Sequence, residues 1–369
     1  MGDIYIGLIS GTSMDGIDAA LVSIEKSSLD VLQTHQHDYP AELRRQLTAA
    51  KLDASIRTLD DVADLHRQVG ECFRDAANQL LADSDYENSA VAAIGSHGQT
   101  IRHEPDIDDP YSLQIGDANI IAGGTGITTI ADFRSADIAL GGQGAPLAPA
   151  FHEWLFDKDG CTRVVLNLGG IANITVLHGG DAPTTGFDTG PANTLMDAWI
   201  ARHRDEPFDS DGSWAAQGNV NPDLLAELLA DSYFSSPPPK STGFEYFNLE
   251  WLDAAGVDAY DPADVQATLC ALTAASVAAA VKEHASGASD LFACGGGVHN
   301  SDLMRRLDVA LPGTHVRSTA SAGLDPDWVE AAAFAWLAMR NTKDLPGNLA
   351  SVTGARHSVV LGRAFSVVR

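Results

Sequence analysis

Basic residues are scarce in this sequence. Lysine and arginine together number 23 against 50 aspartate and glutamate residues, so the 369-residue chain has a formal net charge of -27 at pH 7. A surface this acidic repels phosphate backbones and anionic lipid headgroups. We therefore exclude a general nucleic-acid or anionic-membrane surface. We expect an anionic substrate to be bound locally, by a metal ion, by helix N-termini or by a few cations.

Cysteine pairs and long apolar runs are also missing. The four cysteines, Cys72, Cys161, Cys270 and Cys294, include no CxxC pair, which argues against a zinc knuckle or a disulfide framework. No apolar run reaches the ~18 residues that a membrane span needs, and the chain does not open with a basic segment followed by an apolar stretch. We expect a cytoplasmic protein that binds neither nucleic acid nor a membrane.

Short apolar runs separated by glycine turns organise the chain. The run IYIGLI at 4–9 leads through a Gly-Thr-Ser turn into IDAALVSI at 17–24, and RVVLNLGGIANITVLH at 163–178 repeats this strand, glycine turn and strand. Helical spacing follows at about 41–83, and alanine-rich 263–284 predicts a buried helix. Two such units, in a chain long enough for two domains, suggest a duplicated fold around a central cleft.

The glycine turns suit phosphate binding. Glycine lets backbone N–H groups approach an anion, because no Cβ blocks them. Either turn taken alone is more typical of an ordinary tight hairpin. The first turn lacks the lysine that a P-loop requires, and the GGG at 295–297 does not satisfy the G-x-G-x-x-G pattern. Glycines at 295–297 would nevertheless suit a nucleotide that lies flat against the backbone.

Carboxylates accompany two of these features. Asp15 and Asp18 follow the first turn, where they could hold Mg²⁺ on a phosphate or cap the turn. Asp188, in GFDTGPANT, closes a predicted strand before a helix, so it could be a general base or an N-terminal cap. The tripeptide DTG also occurs in aspartic proteases, but the chain offers no second copy for a shared-proton pair.

Histidines in SHGQTIRH raise the question of a metal site. His97 and His103 have the wrong spacing for one helix face, and no third ligand is evident. His97 with Gln99 is better suited to hydrogen-bonding a sugar. An ordinary loop histidine is the alternative.

An ordered set of motifs then points to a family. The motifs GLISGTSMDGID, GSHGQTIRHEP, ADFRSADIALGGQGAPL, RVVLNLGGIANIT, GFDTGPANTLMDAW, ACGGGVHN and SVTGAR occur in this order along nearly the whole chain. Together they closely resemble the anhydro-N-acetylmuramic acid kinase family. The resemblance implies an α/β fold of the actin/hexokinase/Hsp70 (ribonuclease H-like) type, with two lobes, duplicated βββαβα cores and ATP in the central cleft.

The resemblance also implies the reaction. Water would open the 1,6-anhydro bond of anhydro-N-acetylmuramic acid while O6 receives the γ-phosphate of ATP, giving N-acetylmuramic acid 6-phosphate and ADP in peptidoglycan (cell-wall) recycling. ATP and Mg²⁺ would be the cofactors, and the assembly would be a homodimer. Another sugar kinase of the same fold and a non-catalytic ATP-binding switch are the alternatives. The presence of Asp188 argues against both alternatives, and the SHGQT loop argues against another sugar kinase.

Carried over by position, the resemblance gives roles to single residues. Asp188 would be the catalytic base that activates water for attack at C1, and Asp15 and Asp18 would hold the metal. Nucleotide binding would fall to Gly11, Thr12, Ser13, Met14, Asp15, Gly16, Ile17, Asp18, Asn167, Gly169, Gly170, Asn173, Gly295, Gly296 and Gly297. The sugar would be bound by His97, Gln99, Arg134 and Glu330.

Two of the sugar residues have ordinary alternatives. Arg134 suits the lactyl carboxylate of the sugar, because a guanidinium binds a carboxylate through two N–H groups, but it could form only a salt bridge. Glu330 could be only a first-turn helix charge. Phe244, in KSTGFE, stands where the family has an arginine.

We expect residues 1–134, joined by 350–369, to form the first lobe and residues 135–349 to form the second.

Overall fold

The structure is a computed structural model that describes residues 2–11, 14, 16–52, 58–105, 107–158 and 160–366. The chain divides into two compact units. The first unit contains residues 1–155 and 328–369, and the second contains residues 156–327.

The N-terminal part of the chain contains β1 (Asp3–Ile9), β2 (Gly16–Glu25), β3 (Ser28–Asp38), α1 (Ala41–Leu52), α2 (Leu59–Ala82), β4 (Val91–Ser96), β5 (Gln99–Glu104), β6 (Tyr111–Ile115), α3 (Ala118–Thr125), β7 (Thr129–Ala131), α4 (Ser135–Ala139) and α5 (Ala148–Phe156). The predicted strands at 4–9 and 17–24 are confirmed as β1 and β2. The helical spacing at 41–83 corresponds to α1 and α2, and residues 53–57 between them lie outside the described residues.

The second unit contains β8 (Arg163–Leu168), β9 (Ile171–Leu177), β10 (Thr185–Pro191), α6 (Asn193–Arg204), α7 (Pro222–Leu229), α8 (Ser232–Ser235), α9 (Leu249–Asp253), α10 (Pro262–His284), β11 (Asp290–Cys294), α11 (Ser301–Ala310) and β12 (His315–Ser318). The C-terminal segment, which returns to the first unit, contains α12 (Val329–Thr342), α13 (Ala350–Thr353) and β13 (Arg363–Phe365).

The main sheets of the two units share a topology over five strands, to which the first sheet adds β13 at its edge. The first sheet has the order β13-β7-β4-β1-β2-β3, and the second has the order β10-β9-β8-β11-β12. In chain order, the first three strands of each sheet form an antiparallel meander. The next two strands of the sheet lie parallel to its first strand. Strand for strand, this is the predicted duplicated βββαβα core. The predicted α/β class with a duplicated core is thus confirmed.

Glycines allow α12 to pack directly on the first sheet. Gly7 of β1 and Gly95 of β4 are neighbours in the parallel ladder. A Cβ atom added to Gly7 would lie 1.7 Å from the carbonyl oxygen of Ala331, and one added to Gly95 would lie 2.0 Å from that of Phe334. The backbone of α12 therefore rests on these strands, because no side chain separates them.

The limits of the compact units differ from the lobes expected from the sequence. Residues 135–155 and 328–349 belong to the first unit, whereas the sequence division placed them in the second lobe. The packing of α12 on β1 and β4 explains the second difference. Compactness alone does not define a functional lobe, so the lobe boundaries stay a prediction.

Helix α10 forms the centre of the second unit. Thirteen of its residues are buried. Apolar residues among them, such as Leu269, Leu272 and Val277, pack in one cluster with the sheet. In the described part of the chain, α10 is the one helix long and apolar enough to span a membrane, and 72% of its apolar window is buried inside the protein. It is a core helix, as the prediction for 263–284 expected.

Candidate active site

In the first unit, two candidate sugar residues and one predicted nucleotide residue follow the carboxyl ends of parallel strands. Strands β1, β4 and β7 are parallel, so their carboxyl ends meet at one edge of the sheet, where ligands of open α/β sheets bind. Gly11 lies just beyond β1, His97 directly follows β4, and Arg134 lies just beyond β7. The fold therefore brings these predicted residues to one edge.

Gln99 fixes the start of the first glycine turn. Its side chain is 1% exposed. The Ser10 Oγ donates to Gln99 Oε1 at 2.7 Å, and Gln99 Nε2 donates to the Gly11 carbonyl oxygen at 3.2 Å. Gln99 thus acts on the predicted phosphate loop, and its contact with a sugar stays a prediction.

Arg134 and His97 form a pair with a defined proton arrangement. Arg134 Nε and Nη2 lie 3.2 Å and 2.8 Å from His97 Nε2. A guanidinium only donates, so His97 Nε2 must accept, and the neutral ring carries its proton on Nδ1. Burial and the positive charge of Arg134 lower the pKa of His97 well below its usual value. His97 therefore stays neutral and orients Arg134.

Arg134 keeps donors for a ligand. Its Nη1 donates to the Gly144 carbonyl oxygen at 2.7 Å, which leaves one N–H on each Nη without a partner among the described residues. Burial lowers the pKa of Arg134 to about 10, while the carboxylates of Glu330 and Asp137 oppose this shift. The guanidinium stays charged at neutral pH. No carboxylate in the described ranges lies within 4.0 Å of it, so the salt-bridge alternative is not observed.

A buried carboxylate supports this arginine. Asp137 is fully buried, and its Oδ1 accepts hydrogen bonds from Asn348 Nδ2 at 2.6 Å and Thr353 Oγ1 at 2.7 Å. Its Oδ2 accepts from the Gly144 backbone N–H at 2.8 Å. Because the carbonyl oxygen of the same residue, Gly144, accepts the bond from Arg134, Asp137 helps to fix the position of the guanidinium. Sequence reasoning missed this role, although Asp137 lies in the motif ADFRSADIALGGQGAPL.

Glu330 lies in the first turn of α12. Its side chain is exposed, yet the surrounding protein removes part of its hydration, which raises its pKa, while the charge of Arg134 opposes the rise. The carboxylate therefore belongs to the electrostatic surroundings of Arg134. It is also the first-turn helix charge that the sequence allowed.

In the second unit, polar residues line up across three strands. Asn167 of β8 is paired with Asn173 of β9, and Asn173 is paired with Asp188 of β10. Residues directly opposite each other in antiparallel strands share one face of the sheet. All three are half-buried, in strands that are otherwise largely buried. The fold thus brings the predicted base beside two predicted nucleotide-binding residues.

The two glycine segments of this unit meet at the same end of the sheet. Gly169 and Gly170 join β8 to β9 as a tight turn. Gly295, which follows β11, has a φ of +80°, and a Cβ on it would lie 2.5 Å from Asn167 Oδ1. A Cβ on Gly297 would lie 2.7 Å from the Leu168 Cβ. These glycines therefore allow a close backbone approach that any other residue would block.

Asp188 has the properties of a base rather than of a cap. The N-cap residue of α6 is Ala192, so the capping alternative is not observed. A β-bulge separates Asp188 from Gly190, whose φ is +145°, and bulges re-aim side chains next to active sites. Asp188 Oδ2 accepts a hydrogen bond from the Thr242 backbone N–H at 2.9 Å. Burial raises the pKa of Asp188 to about 6, and the Thr242 N–H opposes the rise.

The first phosphate loop is only partly described. Thr12, Ser13 and Asp15 lie outside the described residues. Met14 is buried with a φ of +53°, Gly16 begins β2 and is followed by buried Ile17, and half-buried Asp18 pairs with Ile9 at the end of β1. Across the part of the chain that the structure describes, no three histidine, cysteine, aspartate or glutamate side chains are placed to hold a metal.

Comparisons with known proteins agree with the motifs. Residues 3–367 match the family model described as anhydro-N-acetylmuramic acid kinase. The anhydro-N-acetylmuramic acid kinase of Shewanella sp. (strain MR-7) is 50% identical over 364 residues, which cover 98% of both chains. That of Coxiella burnetii (strain Dugway 5J108-111) is 48% identical over 363 residues, which cover 98% of this chain and 97% of the relative.

Solved structures share only weak overall similarity. The activator of the 2-hydroxyisocaproyl-CoA dehydratase from Clostridium difficile aligns with a TM-score of 0.47 and 12% identity, covering 92% of this chain and 96% of that one. A ROK family glucokinase from Streptomyces griseus aligns with a TM-score of 0.39 and 16% identity, covering 90% and 99%.

The full-length match and the two close relatives confirm the family predicted from the ordered motifs, and with it the assignment as an anhydro-N-acetylmuramic acid kinase of peptidoglycan recycling. The chain belongs to the anhydro-N-acetylmuramic acid kinase family.

Proposed function

We propose that Asp188 is the general base of a coupled reaction on anhydro-N-acetylmuramic acid. In it, water opens the 1,6-anhydro bond and O6 receives the γ-phosphoryl group of ATP. One observation carries this assignment: the Asp188 carboxylate holds Thr242 N with one oxygen, leaves the other without a partner among the described residues, and has a pKa raised to about 6. A base with this pKa is ionised at neutral pH and is stronger than an ordinary aspartate.

The chemical step balances around this carboxylate. Asp188 Oδ1 takes a proton from water as the water oxygen bonds to C1. The C1–O6 bond breaks, and its electron pair lets O6 attack the γ-phosphorus while the bond from phosphorus to the ADP oxygen breaks. Such a transfer depends on in-line positioning and on neutralising the phosphate charge. The protein must therefore hold the sugar between the base and the γ-phosphoryl group.

For the sugar, we propose that Arg134 binds the lactyl carboxylate. Its unpartnered N–H groups, one on each Nη, form the fork that suits two carboxylate oxygens. His97 and the Gly144 carbonyl hold the guanidinium from its other side. We place Gln99 and Glu330 beside it as further sugar residues.

For the nucleotide, we propose that the glycine turns bind ATP through backbone N–H groups. The turn at Gly169 and Gly170, the row of Asn167 and Asn173, and residues 295–297 lie at one end of the second sheet. Residues 11–18 would bind the phosphates from the first unit. Glycine at these positions favours close approach of the backbone to an anion.

For the metal, we propose Mg²⁺ held by Asp18 and Asp15. Mg²⁺ at nucleotide sites needs only one or two protein carboxylates, because water and phosphate oxygens complete its octahedron. Asp18, at the end of the sheet where β1 enters the first turn, fits this requirement. When bound, Mg²⁺ offsets negative charge on the phosphates. Asp18→Asn is expected to raise the Mg²⁺ concentration that gives half-maximal rate.

We also propose a cytoplasmic homodimer. The four cysteines are free, which agrees with a reducing compartment. The homodimer rests on the family resemblance. Light scattering of the purified chain tests it, and a mass of one protomer would contradict it.

The catalytic proposal is tested by steady-state kinetics of Asp188→Asn. We expect kcat to fall by about 10²–10⁴-fold, the usual contribution of a general base, with little change in KM for ATP. Asp197→Asn is the matched control, since Asp197 is another aspartate of this unit whose pKa is raised by burial, to about 7. It should keep the wild-type rate. An Asp188→Asn variant as fast as the wild type would refute the assignment.

A further inference from the structure

Helix α8 and the loop that follows it pack on β10 and hold Asp188 through three hydrogen bonds. The Asp188 N–H donates to the Lys240 carbonyl oxygen at 3.1 Å, and the Tyr233 hydroxyl donates to the Asp188 carbonyl oxygen at 2.8 Å. The Thr242 N–H donates to Asp188 Oδ2 at 2.9 Å. Backbone and carboxylate are therefore both fixed by residues 233–242.

The hydroxyl of Thr242 is unused within the protein. Its Oγ1 is buried and has no hydrogen-bond partner among the described residues. A buried polar atom left without a partner is costly, so native proteins seldom keep one without a ligand or water to satisfy it. Only three covalent bonds join Oγ1 to the Thr242 nitrogen, which is bonded to Asp188. The hydroxyl therefore lies beside the carboxylate of the proposed base.

We propose that Thr242 Oγ1 and Asp188 Oδ1 together bind the nucleophilic water, an inference that rests on the function proposed above. The water donates one hydrogen to each oxygen, which directs a lone pair at C1 of the sugar. Asp188 Oδ1 then takes its proton as the C1–oxygen bond forms and the C1–O6 bond breaks. Thr242 thus orients the attacking atom, and its backbone N–H separately keeps Oδ2 in place.

Two substitutions separate the hydroxyl from the rest of the residue. Thr242→Val removes the hydroxyl but keeps the β-branched shape and the backbone N–H. Thr242→Ser keeps the hydroxyl. We expect Thr242→Val to lower kcat about ten-fold, the effect of one lost hydrogen bond, with unchanged KM for ATP, and we expect Thr242→Ser to stay within about three-fold of the wild type.

Two further readouts distinguish this role from a structural one. The apparent pKa of the rate should not move in Thr242→Val, because the bond from Thr242 N to Asp188 Oδ2 persists. Its Tm should be unchanged or higher, because an unpartnered polar atom has been replaced by a methyl group. Thr242→Ala, which also lacks the hydroxyl, should show the same fall in kcat and serves if the valine does not fit.

The outcomes separate the two proposals. A Thr242→Val or Thr242→Ala variant with wild-type kcat overturns the role of the hydroxyl. If Asp188→Asn is inactive in the same assay, the assignment of Asp188 as the base still stands. Equal losses of rate in Thr242→Val and Thr242→Ser, together with a lowered Tm, also overturn it, since they indicate a structural role. Full activity of Asp188→Asn refutes both proposals, that of Asp188 as the base and that of the water site.

Discussion

Replacing Asp188, the proposed base, by asparagine should stabilise the second unit. Burial raises the folded-state pKa of Asp188 from 3.8 to about 6, so the folded protein holds the proton more strongly than the unfolded chain does. The contribution to stability is present below pH 3.8 and is lost as the pH rises through 6. Asparagine carries no charge at any pH and avoids this loss.

The size of the effect follows from the shift. About two pKa units correspond to about 3 kcal/mol between the ionised wild type and the neutral variant at pH 8. The same linkage leaves roughly half of that difference at pH 5, where the folded carboxyl is protonated and the unfolded one is ionised. For a unit of this size, 3 kcal/mol corresponds to a rise in Tm of about 6–12 °C.

Calorimetry at pH 8 and pH 5 measures this difference directly. Asp188→Asn should melt higher than the wild type at both values, and the gain should be about twice as large at pH 8. Asp308→Asn, an exposed change on α11, is the control and should shift Tm by about 2 °C or less. If Tm does not rise, or rises equally at the two pH values, then burial of the ionised Asp188 carboxylate does not destabilise the protein.

Three further predictions follow from the packing and the electrostatics. Gly7→Ala should destabilise the first unit by about 3 kcal/mol or more, because its Cβ would collide with the Ala331 carbonyl. Thermal melts measure this loss. The control Gly123→Ala, with no atom near the added Cβ, should be neutral or stabilising. Arg134→Lys loses the fork and should raise KM for the sugar at least about ten-fold, leaving KM for ATP unchanged; an unchanged sugar KM would contradict this. The wild-type kcat should rise with pH through about 6 as Asp188 ionises, and a rate independent of pH from 5 to 7 would exclude it.

Local patterns in the sequence were enough to predict the repeated part of the fold. The alternation and glycine turns at 4–24 and 163–178 predict strand pairs, and both pairs are present as β1–β2 and β8–β9. Buried helix α10 follows from the breadth of its apolar surface. These features are set by neighbours close along the chain, so short-range physical rules describe them.

Other features depend on contacts between distant segments. Thr242 follows Asp188 by more than fifty positions, and its loop is rich in turn-forming residues. No periodic pattern therefore signals its bond to the carboxylate. The packing of Gly7 on Ala331 joins the two ends of the chain. Asp137 binds the C-terminal residues Asn348 and Thr353. Motif order marks such segments as functional, but only the tertiary structure shows which atoms meet.

We propose that ring opening by water and phosphoryl transfer to O6 are one reaction, catalysed by this chain with Asp188 as base. The most direct measurement follows ADP release and sugar product mass together, with anhydro-N-acetylmuramic acid, Mg²⁺ and ATP, for the wild type and Asp188→Asn. We expect the wild type to release one ADP per sugar consumed and to give a product heavier by one phosphoryl group and one water, and we expect both to be lost in the variant. ADP release that ignores the sugar, or a product that has gained the phosphoryl group without the water, would contradict it.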